Sequence, residues 1–85
     1  MTFFVYMLLS KHKHNFISYV GYTKNLKKRL TLHNSSKGAK FTKGRKWIII
    51  YKKKYLNKSD ALRDEYKLKK DYKLRNKIKK NFIIK

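Results

Sequence analysis

Three short apolar runs constrain this chain more than any other feature: TFFVYMLL at residues 2–9, FISYVGY at 16–22 and WIIIY at 47–51. Each is aromatic and β-branched, and none reaches the ten or more residues of a typical helix, so each reads as a strand. The polar stretch KHKHN at 11–15 separates the first two, which predicts a hairpin with its turn there. Gly21 inside the second run predicts either a bulge or a close approach by another group. The third strand continues less regularly through residues 52–56.

Helical spacing appears between and after these runs. Thr23 is predicted as an N-cap, and Leu26, Leu30 and His33 then fall on one face of a helix over 25–34. Residues 35–44 carry Gly38, Gly44 and three lysines, and read as a basic loop. Ser59 is predicted to cap a helix over 60–70, with Asp60 favoured in its first turn by the helix dipole. A further helix is predicted over 72–80. The order β-β-α-β-α-α predicts a single α/β domain over 1–85, a short sheet with helices packed against it.

Composition limits what such a domain can do. A chain of 85 residues with no cysteine has neither disulfides nor thiolate metal sites to supplement its core. A domain this short buries about 60–65% of the surface its unfolded chain exposes, which leaves no room for a deep enclosed cavity. No apolar run approaches the ~18 residues of a membrane span. Residues 1–10 lack a basic leader and a small-residue cleavage site, so no signal peptide and a cytoplasmic location are expected.

Charge then points to a partner. There are 25 Lys and Arg against 4 Asp and Glu, a net charge of +21. A nucleotide-composition bias accounts for abundant Lys, Asn, Ile and Tyr but not for the scarcity of acids. A polyanion partner is therefore expected, with binding that weakens steeply as salt rises. A membrane surface is the less fitting polyanion, because it calls for a broad apolar helix face.

The only glutamate, Glu65, falls within the apolar arc that Ala61, Leu62, Leu68 and Tyr72 describe on the second helix. A carboxylate on such a face is paired with a cation or bound to a metal. On periodicity alone the ion pair is the commoner outcome. Mg²⁺, however, needs only one or two protein carboxylates, with water and phosphate completing its shell. On the first helix, Arg29 and His33 are spaced i, i+4 and could meet one phosphate, although a lone helical His is more often packed in the core. Tyr6 and Tyr19 lie on adjacent predicted strands, whereas Tyr51, Tyr55, Tyr66 and Tyr72 are expected in the core. His12 and His14 have no Cys or acid at zinc-ligand spacing.

Taken in order, these residues resemble a known family. Val5-Tyr6-Met7, then Tyr19-Val20-Gly21, then Asn25 through Leu30 are similar to the GIY-YIG nuclease superfamily. His33-Asn34, Lys37 through Arg45, and Ala61-Leu62 with Glu65 and Leu68-Lys69-Lys70 resemble its compact single-domain bacterial branch. The likeness covers about residues 3–75. The first motif departs from the family name at two places, Phe4 for Gly and Val5 for Ile.

The resemblance implies a small three-stranded antiparallel sheet flanked by helices. It also implies endonucleolytic hydrolysis of phosphodiesters in DNA or RNA, dependent on Mg²⁺ or Mn²⁺. Tyr6 and Tyr19 would be the motif tyrosines, one of them handling the attacking water. Arg29 would stabilise charge on the phosphate, His33 would assist, and Glu65 would be the metal ligand. A tyrosine with its ordinary pKa near ~10 is a poor base at pH 7, so the basic surroundings are expected to lower it. Lys37, Lys40, Lys43 and Arg45 are expected to grip the nucleic-acid backbone, with no membrane or obligate protein partner. A non-catalytic nucleic-acid-binding module of the same fold is the alternative, and a ribosome-associated basic protein the third reading.

Overall fold

The structure, a computed structural model, describes residues 1–84. The first two apolar runs form an antiparallel hairpin of β1 (Phe3–His12) and β2 (Asn15–Thr23), and β3 (Ile48–Tyr55) pairs antiparallel on the other side of β1. The strand order is β2-β1-β3. β1 is thus the central strand with both faces covered, which is why its run is apolar without alternation. The turn is tighter than the polar segment suggests. Pairing continues to His12 and Asn15, leaving Lys13 and His14 as the turn, with Lys13 at φ 56°. Backbone groups gain their ladder partners whatever the side chain's polarity, and a positive φ suits a two-residue hairpin turn.

The three helices are α1 (Leu26–Asn34), α2 (Lys58–Lys70) and α3 (Tyr72–Ile83). On one face of the sheet Tyr6 and Leu8 pack with Trp47, Tyr19, Ile49 and the α1 residues Leu26 and Leu30. On the other, Phe3, Val5, Met7 and Val20 pack with Ala61 and Leu68 of α2 and Ile78 of α3. The sheet is therefore the middle layer between α1 and the α2–α3 pair. Val5, Met7 and Leu8 are essentially excluded from solvent, and each such burial contributes about 1.5–3 kcal/mol. A bulge between Met7 and Leu8 in the β1–β3 register lets consecutive Ile50 and Tyr51 both face the α2–α3 layer. Lys52, Lys53 and Lys54 are exposed on the outer strand β3, where charge discourages pairing with another chain.

The caps differ from the predicted ones. Asn25, not Thr23, caps α1 by accepting from the Lys28 amide, and Thr23 Oγ1 instead accepts from the Asn25 amide. Asn57, not Ser59, caps α2, its Oδ1 accepting from the Asp60 amide at 2.8 Å. In both cases the strand ends one or two residues before the cap, and the first side-chain oxygen able to reach the helix amides takes the role. Asp71 ends α2 and caps α3 through the Leu74 amide. Tyr72 therefore lies past a break and is 66% exposed, and Leu62 is 38% exposed. The wheel that placed both on an inner arc assumes one straight helix over a wide sheet, whereas only Ala61 and Leu68 reach the core here. Tyr66 is likewise exposed, while Tyr51 and Tyr55 pack at the core as expected.

Candidate active site

Tyr6 and Tyr19 share the face of the sheet beneath α1. Tyr6 is opposite Gly21, and Tyr19 is opposite Leu8, two residues along β1, so the tyrosines are diagonal neighbours. Gly21 is there for space. A Cβ on it would lie 2.5 Å from the Tyr6 hydroxyl oxygen and 2.7 Å from Cζ. The Tyr6 ring thus lies over the bare backbone of Gly21, which is the close approach that the glycine predicted.

The Tyr6 hydroxyl is 2.8 Å from His33 Nε2, and Arg29 Nε donates to it at 3.4 Å. His33 is completely buried, and its other ring nitrogen, Nδ1, is 2.8 Å from Thr42 Oγ1. Burial, and then the charge of Arg29, hold the His33 pKa below its ordinary value, so the ring is neutral at pH 7 and carries one N–H. The tautomer follows from counting donors. Thr42 Oγ1 donates to the Ala39 carbonyl at 3.0 Å, so it accepts from Nδ1–H, and Nε2 accepts the Tyr6 proton. The opposite tautomer leaves the Tyr6 proton with no acceptor among the described residues.

Sequence reasoning brought Arg29 and His33 together on one phosphate, and that geometry is not what forms. Both His33 nitrogens are engaged inside the protein, by Tyr6 and Thr42, so of the pair only Arg29 has a donor left for an outside group. The basic surroundings also fail to lower the Tyr6 pKa. Burial raises it, and this outweighs the lowering by the Arg29 hydrogen bond and charge. Arg29 is itself raised, chiefly by its bond to Tyr6, and its Nη2 donates to the Gly38 carbonyl at 3.4 Å. The negative charge of Glu65 also acts to raise Tyr6, which puts the acid of α2 within electrostatic reach of this centre.

The remaining predicted residues are spread around it. Tyr19 is half-buried, its ring edge-on to His33 at 5.1 Å. Lys37, Lys40 and Lys43 are exposed on the loop before β3, and Arg45 is half-buried there. Glu65 keeps a side chain 15% exposed, with one loose partner, Lys69 Nζ at 3.6 Å. Among the described residues no three His, Cys, Asp or Glu cluster as a metal cage. A partly exposed carboxylate with one loose partner fits a hard cation that takes its other ligands from water and substrate. It does not fit zinc, whose sites draw three or four protein ligands.

Three residues of the centre escaped sequence reasoning. Thr42 is fully buried and orients His33. Gly38 seats the same ring, since a Cβ there would lie 2.4 Å from His33 Nδ1. Trp47 donates Nε1–H to the Thr42 carbonyl at 2.9 Å, and its backbone is bracketed by the Asn34 side chain. All three lie in or beside a segment that reads as a solvated basic loop. The usable signal was Trp47, a large apolar residue three positions after it.

A profile of the GIY-YIG catalytic domain matches residues 2–79. The chain belongs to the GIY-YIG family. A UPF0213 protein of Oceanobacillus iheyensis is 50% identical over 52 residues, 60% of each chain, so the match spans about three fifths of that relative's length. A UPF0213 protein of Staphylococcus haemolyticus is 42% identical over 65 residues, covering 75% of this chain and 78% of that one. The solution NMR structure of the UPF0213 protein BH0048 from Bacillus halodurans is 31% identical, covers 100% of this chain and 86% of its own, and has a TM-score of 0.49. The GIY-YIG family is a nuclease superfamily, generally dependent on divalent metal and acting on nucleic acid. No helix among the described residues is long and apolar enough to cross a membrane.

Proposed function

We propose that this GIY-YIG chain is a divalent-metal-dependent endonuclease that hydrolyses phosphodiesters in DNA or RNA, acting in the cytoplasm. The observation that carries the reading is the hydrogen-bonded line Thr42–His33–Tyr6, with Arg29 donating to its outer end. A phenol with a raised pKa does not ionise at pH 7 by itself. A phenol that donates to a neutral imidazole can accept a proton on its oxygen while passing its own inward. The attacking water gives its proton to the Tyr6 oxygen as the Tyr6 proton moves to His33 Nε2. The water oxygen then bonds to phosphorus, and the leaving oxygen departs with the electron pair of its P–O bond.

Arg29 donates at Nε to Tyr6 and at Nη2 to Gly38, with Tyr19 also close to its guanidinium, and Nη1 makes no further geometric hydrogen bond among the described residues. That nitrogen can donate to a phosphate oxygen as charge builds there, a preorganised contact of the kind whose loss costs about 10²–10³ in rate. Glu65 would hold the Mg²⁺ or Mn²⁺, which when bound polarises the phosphate and offsets charge on the leaving oxygen. Lys37, Lys40, Lys43 and Arg45 hold the flanking backbone by charge.

The deciding experiment compares wild type with Glu65→Ala on end-labelled single-stranded and duplex DNA and RNA, with Mg²⁺, Mn²⁺ or chelator. Cutting by wild type alone, and only with metal, is the expected result. Equal cutting by both proteins, or cutting that survives chelation, overturns it. Binding by both without cutting under any condition indicates a non-catalytic module. Arg29→Ala should keep its fold and most of its affinity while losing about 10²–10³ in cutting rate.

A further inference from the structure

Next to the Tyr19 ring the sheet edge, the basic loop and the α2–α3 junction enclose an open cleft of about 290 Å³. Its walls are Ser18, Tyr19, Val20, Phe41, Lys69 and Arg75. Phe41 is 54% exposed although it sits among lysines. It is held by Tyr19, on which it stacks at 6.2 Å and 21°, and by Trp47, tilted at 6.3 Å. Its orientation is therefore fixed without its being buried. Opposite it, Arg75 Nη1 donates to the carbonyls of Leu68 and Lys69 at the end of α2. The other guanidinium nitrogens make no protein hydrogen bond among the described residues, and the guanidinium lies over the Tyr72 ring at 5.8 Å. Lys69 is half exposed, 3.6 Å from Glu65.

We propose that this cleft is a nucleotide subsite in which an unpaired base lies on the exposed face of Phe41 and its phosphate meets Arg75 and Lys69. The inference rests on the reading that a nucleic-acid strand runs past Tyr6, and it adds a binding step that neither Tyr6 nor Arg29 supplies. An oriented aromatic face beside two cations matches the two parts of a nucleotide, the π-face and the phosphate. The volume lies at the lower end of the ~300–1,000 Å³ of small-molecule sites, enough for one ring and its backbone but not for a base pair. A base within a duplex already has both faces stacked, so only an unpaired or extruded base can use Phe41. Since every base has a π-face, the subsite is indifferent to sequence.

Binding, rather than cutting, tests this. Affinity for a fluorescein-labelled single-stranded 12-mer is measured by anisotropy in chelator, for wild type, Phe41→Ala, Phe41→Tyr and Lys69→Ala. Far-UV circular dichroism and the urea midpoint report the fold of each variant, because Trp47 packs against Phe41 and its emission would change with the substitution itself. Phe41→Ala should bind about tenfold more weakly, as expected for one lost base–aromatic stack, and Phe41→Tyr should bind like wild type. The Phe41→Ala loss should shrink on a fully abasic oligomer and stay under about twofold on duplex. Lys69→Ala should lower the salt slope by about one phosphate contact. Scanning 2-aminopurine along the oligomer should show quenching that Phe41→Ala removes. Phe41→Ala binding within twofold of wild type, or an equal loss on abasic or duplex ligand, overturns the subsite. Either outcome stands apart from the nuclease reading, which is judged on metal-dependent cutting by wild type compared with Glu65→Ala.

Discussion

Replacing Gly38 by alanine tests the packing of the centre with one methyl group. A loop glycine whose φ suits any residue normally gains about 0.4–1 kcal/mol on becoming alanine, because the unfolded chain loses freedom. Gly38 is such a position by backbone, since its φ lies outside the left-handed region. The added Cβ, however, would lie 2.4 Å from His33 Nδ1, 2.8 Å from Cγ and 2.9 Å from Cε1. The ring cannot yield cheaply. It is fully buried and pinned at both ends by 2.8 Å bonds to Tyr6 and Thr42. Restoring normal contact requires a shift of the order of 1 Å, which an overpacked core resists by about 1–3 kcal/mol. If the shift breaks one of the two bonds, a buried group left unpaired adds about 1–3 kcal/mol.

The expected sign is therefore destabilisation, by about 2–4 kcal/mol, where an open glycine would give a small gain. For a domain of this size each 1 kcal/mol moves Tm by about 4–8 °C, so the midpoint should fall by roughly 8 °C or more. Urea and thermal unfolding read this directly. Misplacing Tyr6 by about 1 Å should also cost roughly 10² in cutting rate. Gly44→Ala is the comparison. Gly44 has φ +77°, and a Cβ added there would meet nothing within 4 Å, so alanine costs about 1–2 kcal/mol of backbone strain and leaves His33 in place. If Gly38→Ala is as stable as wild type or more so, the claim that Gly38 exists to seat His33 is wrong.

Gly21→Ala should disturb the centre from the other side, since its Cβ would lie 2.5 Å from the Tyr6 hydroxyl oxygen and 2.7 Å from Cζ. Unfolding should show a loss of about 1–3 kcal/mol, and unchanged stability would refute the clash. Thr42→Val removes the hydroxyl that orients His33 and should cost about 1–3 kcal/mol, with Thr42→Ser restoring most of it in the same urea assay. His33 gives the pH dependence. Its folded pKa is depressed, so its contribution to stability is complete above the unfolded value near ~6.5 and is lost as pH falls from there through the folded value. Urea midpoints should drop between pH 7.5 and pH 5, and an NMR titration placing His33 at or above ~6.5 would contradict this.

The hairpin, the third strand and the three helices were legible because each rests on local pattern. A central strand must be apolar on both faces, and residues 2–9 are. The helices follow from spacing at i, i+4 and i+7. Tyr6, Tyr19, Arg29 and His33 were legible as a set through the family resemblance and the strand-then-helix order. Cap positions and Leu62 and Tyr72 were misplaced, because where a strand stops and where a helix breaks depend on what the element packs against.

Sequence alone thus determined the element order, the net charge of +21, and Gly21 as a point of close approach. Those are properties of short segments or of the whole composition. The tertiary structure decided the chemistry of the centre. It turned His33 inward to Thr42, seated its ring on Gly38, and let burial outweigh Arg29 in raising the Tyr6 pKa. Each of these depends on distances between residues separated in sequence by 5 to 27 positions, and desolvation depends on what surrounds a group in space. Neither is encoded in the spacing of any one segment.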